Sequence, residues 1–167
     1  MFYKRKLNVY NMNGHLSKNN QMKALCVVWN ESQSGRAGND MASAVYRMLQ
    51  EVFVLQPNLK RLVIWSDACV PQNRNSIMST AIMKFMIENK TWASITQKFG
   101  EPGHSSIQEV DTIHSQAQKR LKGAEIFSLI ELIRILKSAN LRNPFAVNFQ
   151  AVAKQITLGS THRLDLL

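Results

Sequence analysis

The hydrophobic period switches back and forth along this chain, and that alternation limits the folds open to it. Residues 21–29, Gln-Met-Lys-Ala-Leu-Cys-Val-Val-Trp, read as a strand with an apolar run at its end. From Asp40 to Leu55 the apolar residues Met41, Val45, Met48, Leu49 and Val52 recur at helical spacing, and Pro57-Asn58 stops them. Leu62-Val63-Ile64-Trp65 is a short continuous apolar run, the pattern of a strand covered on both faces. Ile77, Met78, Ala81, Ile82, Phe85 and Met86 return to the helical period, and Trp92 to Phe99 predicts another strand before the Gly100-Glu101-Pro102-Gly103 turn. Residues 6–16 alternate in part and precede the polar turn 17–20, so a hairpin opens the chain. Strands and helices alternating after a hairpin predict an α/β fold with a mixed sheet.

Two further helices are signalled by their starts. Ser106 with Glu109 and Ser128 with Glu131 are capping-box pairs, in which each side chain serves the other residue's backbone N–H. Val110, Ile113, Ala117 and Leu121 follow the first on one helical face; Leu132, Ile135 and Leu136 follow the second. Phe145 to Phe149 predicts a late strand. The domain is expected to span 1–145, with 146–167 a C-terminal segment or tail.

Size and composition narrow the function classes. The 167 residues are 45% hydrophobic, enough for one domain to bury a real core. Cys26 and Cys69 cannot build a disulfide framework or a Cys-x-x-Cys zinc pair. No segment has the ~18 apolar residues of a membrane span, and no apolar stretch follows Lys4-Arg5-Lys6 as in a secretory leader. The expectation is an intracellular, non-secreted protein of the nucleus or cytoplasm, with no membrane association. Its 21 Lys and Arg exceed its 11 Asp and Glu by 10, a balance that attracts polyanions and nucleic acid foremost.

The residues able to carry chemistry gather after the apolar run 62–65. In α/β sheets, sites form at the C-terminal ends of strands, where Asp67 falls. An Asp there also serves as a plain turn former. Gln72, Asn73, Arg74 and Asn75 follow, and amides and guanidinium suit hydrogen bonds to phosphate and sugar. Asn73 or Asn75 equally suits the N-cap of the next helix. His104 and His114 could join Cys69 or Asp111 at a zinc ion; the structural alternative has His104 bonded in a turn and His114 packed beside Asp111 one helical turn away. Cys69 reads as a small buried residue, and Trp92 and Phe99 as core. Lys4, Arg5, Lys6, Lys119, Arg120 and Lys122 are candidate backbone contacts or plain solvated charge.

The string Ile64-Trp65-Ser66-Asp67-Ala68-Cys69-Val70-Pro71-Gln72-Asn73-Arg74-Asn75 closely resembles the S-D-N-C-x-x-Q-N-R-N strand end of a transposon-derived, RNase H-like domain family of animal genomes. Tyr3 to Asn11 is similar to that family's hairpin strand, Val28-Trp29-Asn30-Glu31 to its W-x-E strand end, and Gly35 to Asp40 to its R-G-x-x-E helix start. Gly103-His104-Ser105-Ser106 and Asp111-Thr112-Ile113-His114 resemble its G-H-T…D-x-x-H segment. The resemblance covers roughly residues 2–145 and implies an RNase H-like mixed sheet flanked by helices.

That resemblance also implies a phosphodiester site in which carboxylates hold two Mg²⁺ or Mn²⁺ ions ~4 Å apart. Its ligands map onto Asp40, Asp67 and Asp111. Gln118 stands where the family carries a further acid, and the family's opening strand, with an Asp of its own, has no counterpart ahead of the hairpin. The site is therefore expected to be degenerate. The favoured expectation is a catalytically inactive, transposase-derived domain that binds DNA or RNA without sequence preference through Gln72, Asn73, Arg74, Asn75, His104 and His114. The alternatives are a divalent-metal nuclease or transposase, and an interaction module that self-associates or recruits a strand at an exposed sheet edge.

Overall fold

Six consecutive residues, Ala24 to Trp29, are buried, and they make β2 (Gln21–Asn30) the centre of the molecule. The computed structural model describes residues 8–18, 21–100 and 109–149. β1 (Val9–Lys18) pairs antiparallel with β2 along its whole length, from Val9 opposite Asn30 to Lys18 opposite Gln21. Side chains alternate across a strand, so Leu25, Val27 and Trp29 enter one core and Ala24, Cys26 and Val28 another.

The first core lies under α1 (Gly38–Leu55) and α2 (Ser76–Glu88). Phe85 is fully buried there, its ring centroid 5.4 Å from Trp92 and 5.7 Å from Tyr46 in edge-on contacts. Such aromatic pairs add about 0.5–1.5 kcal/mol each beyond their buried area. The second core lies under α3 (Glu109–Leu121) and α4 (Leu129–Lys137), through Ile113, Ala117, Leu132 and Leu136. Ser128 and Glu131 form the expected capping box at α4; Ser106 lies outside the described residues.

β3 (Arg61–Ser66) and β4 (Ser94–Phe99) pair in parallel, the crossover between them supplied by α2. The expectation that β3 is covered on both faces is corrected here. Leu62 and Ile64 pack on the first core, but Val63 is 48% and Trp65 61% exposed, because α3 and α4 sit over the hairpin and leave β3 bare. The late strand does form, as β5 (Ala146–Phe149). It runs parallel to β2, with Leu25 opposite Ala146 and Val28 opposite Phe149. A segment set apart from the domain in the sequence reading thus completes its sheet.

The strands form two sheets, β1-β2-β5 and β3-β4. β5 closes the far edge of β2, so among the described elements the edges left open toward each other are those of β1 and β3. The class is α/β, with mixed strand directions in the hairpin sheet.

Candidate nucleic-acid interface

A groove of about 1570 Å³ separates the two sheets. Consecutive residues line it: Met12 to Ser17 of β1, and Leu62 to Ser66 of β3 with the loop onward to Val70. A sheet face would present alternate residues, so an unbroken run marks two edges facing across an open space. Asp67 and Asp111 both line this groove, with Glu109, Asn73 and Arg74.

The loop after β3 is built from its own hydrogen bonds. Asp67 Oδ1 accepts the Cys69 backbone N–H at 3.3 Å and the side-chain amide of Asn73. Cys69 C=O gathers the N–H groups of Gln72, Asn73 and Arg74, at 2.7 Å for Asn73. Asn75 adopts the extended backbone of an N-cap (φ −145°, ψ 166°), and its Oδ1 accepts Met78 N–H at 2.9 Å. Asn73 and Asn75 therefore divide the two roles open to them, one holding the strand-end Asp and the other starting α2. Arg74 is exposed, its guanidinium 5.8 Å from the Phe99 ring centroid. Half-buried Gln72 contributes to the turn through its backbone.

Asp40 does not line the groove. It sits in the first turn of α1, where its Oδ2 accepts the Ala37 N–H at 2.9 Å, half of a capping box. Among the described residues no group of three or more His, Cys, Asp or Glu side chains stands together to hold a metal ion. Asp40, Asp67 and Asp111 thus do not make, among those residues, the ligand set of a two-cation site. His104 lies outside the described residues.

His114 is tied into a polar chain on the α3 side of the hairpin. Cys26 Sγ donates to Asn13 Oδ1 at 3.1 Å, Asn13 Nδ2 lies 3.2 Å from His114 Nδ1, and His114 Nε2 lies 2.9 Å from Gln118. Asn13 has its oxygen engaged by the thiol, so its amide donates to Nδ1 and the neutral ring keeps its proton on Nε2. Cys26 is a fully buried thiol pushed up to about 12 by that burial, which leaves it protonated and inert. Both cysteines are free, and Cys69 is half-buried rather than buried as expected.

The structure adds a pair that sequence reasoning passed over. Trp65, on the bare face of β3, is the exposed aromatic next to the strand-end loop, and Lys98 of β4 stands 5.0 Å from its ring centroid. The register puts Trp65 directly opposite Lys98. The signal was present in the alternation of β3, but the continuous apolar run concealed it. Phe99 is half-buried under Arg74, and Trp92 is core as expected. Lys119, Arg120 and Lys122 are exposed at the end of α3; Lys4, Arg5 and Lys6 lie outside the described residues.

The model of a domain of unknown function (DUF7869) matches residues 3–158. The chain belongs to the DUF7869 family. No curated protein and no solved structure matches the chain. No helix among its described residues is long and apolar enough to cross a membrane.

Proposed function

We propose that this DUF7869 chain is an RNase H-like domain of transposase descent that binds DNA or RNA without reading sequence and without cleaving it. The observation that carries the reading is Trp65, exposed at 61% beside Lys98, next to the loop bearing Arg74. An open aromatic face flanked by cations is the arrangement on which unpaired bases stack while their phosphates are neutralised. The net charge of +10 supplies the long-range attraction. Binding without cleavage is supported by the engagement of the candidate ligands: Asp40 caps its own helix, and Asp67 accepts two hydrogen bonds from its own loop.

A thermal melt with Mg²⁺ or Mn²⁺ on wild type and Asp67→Asn, run beside a cleavage assay on single-stranded DNA and RNA, tests this. The expected result is binding with no cleavage and the same response to metal in both proteins. Cleavage that disappears in Asp67→Asn would establish a metal-dependent nuclease instead.

A further inference from the structure

We infer that the groove between β1 and β3 receives one extended segment of another polypeptide, which pairs with both edges and joins the two sheets into one. The inference is independent of nucleic-acid binding. An edge strand presents a row of unpaired N–H and C=O groups, and here two such edges border one space. Pocket volumes for small ligands run to roughly 1,000 Å³, which this groove exceeds. Its floor is apolar, formed by Met48, Leu49 and Val52 of α1 and Met78 of α2. The occupant must therefore be apolar at alternate positions on the side facing α1. Its paired length is set by Met12–Ser17, six residues or about 20 Å of strand.

Three observations choose the source. A strand with a neighbour on each side has no further edge to share, so the occupant must be a lone strand. In this chain β2, β4 and β5 are already paired within their sheets, and a folded second copy offers none. The chain's own residues 150–167 start at the end of β5, two strands from the groove. Crossing β2 and β1 takes roughly 15 Å, or about five residues. What then remains, Ile156-Thr157-Leu158-Gly159-Ser160-Thr161, breaks its apolar alternation at Gly159. Finally, the groove carries Asp67, Glu109 and Asp111 against Arg74, a local acidic excess in a basic protein. The partner segment accordingly bears Lys or Arg beside its apolar residues.

The probe is a synthetic peptide, acetyl-Lys-Thr-Val-Thr-Val-Thr-Ile-Thr-Lys-amide, titrated by fluorescence anisotropy against the full chain. Two variants carry N-methyl groups on alternate residues, one set blocking each edge of the peptide. A strand held from both sides loses at least tenfold in affinity from either set. Loss from one set only would show addition to a single edge and overturn the proposal, as would no binding by the parent peptide. Tighter peptide binding by the full-length double variant Ile156→Lys, Leu158→Lys would assign the groove to the chain's own C-terminal segment. A dimer that the peptide dissociates, seen by light scattering, would assign it to a second copy. Either result overturns a separate partner.

Discussion

Replacing Trp65 by alanine separates a binding surface from a structural one. The ring is 61% exposed and meets Lys98 at 5.0 Å, on a face of β3 that no helix covers. Truncation therefore removes little buried area and one exposed cation–π contact, worth about 0.5–1 kcal/mol. For a domain of this size each kcal/mol moves the melting temperature by about 2–4 °C, so Trp65→Ala is expected to melt within about 4 °C of wild type. The loss of a stacking platform, by contrast, costs about 1–3 kcal/mol per base. That is a roughly 5- to 150-fold weaker Kd for a fluorescein-labelled single-stranded oligonucleotide, measured by anisotropy at low salt. Trp65→Phe should keep most of the affinity, since every base has a face to stack on a smaller ring. Wild-type affinity in Trp65→Ala would refute the reasoning, because nothing else in the structure makes the residue necessary.

The remaining predictions concern stability. Asn75→Ala removes the α2 cap and should cost about 0.5–2 kcal/mol by denaturant titration, whereas Asn75→Asp keeps an acceptor for Met78 N–H and should retain most of it. Phe85→Ala empties the centre of an aromatic cluster and should cost roughly 3–5 kcal/mol in the same titration. Alkali should weaken the fold. Burial raises the Cys26 thiol to about 12, and burial with the Glu88 hydrogen bond raises the Tyr46 hydroxyl to about 12. Both groups hold their protons more tightly when folded, so their contribution is complete below the unfolded values near 9 and 10 and is lost as pH rises through 12. Melting temperatures measured from pH 8 to 12 should fall across that window, and a flat profile would contradict the burial of both.

The order of elements from β1 to α4 was legible because each is local: helical spacing, a capping box at Ser128, an Asn ahead of α2. What the sequence concealed was long-range. The run Leu62–Trp65 has the composition of a strand buried on both faces, and the strand so buried is β2, whose even and odd residues feed separate cores. Nothing within β3 records that α3 and α4 come to rest over the hairpin. Phe145–Phe149 announced a strand but not its partner, since parallel pairing with β2 depends on the intervening 115 positions between Asn30 and Ala146 rather than on a turn. In the site, Asp67 and Asp111 do share a groove, as the strand-end argument implied. Asp40 does not join them; an acid at the third position of a helix is a capping signal, and the backbone N–H of Ala37 claims it. Asn73 and Asn75 offered two roles at the sequence level, and only the geometry could divide them.

The central claim, that this chain holds nucleic acid by its backbone and its base faces without regard to sequence, is tested most directly by the salt dependence of binding. Anisotropy titrations of two unrelated single-stranded oligonucleotides of equal length, at 50 to 300 mM salt, give log Kd against log salt. The account predicts equal affinities for the two sequences and a linear loss of affinity, with a slope near 0.7 per phosphate contacted. Saturable binding that ignores salt, or no binding at 50 mM, would contradict it.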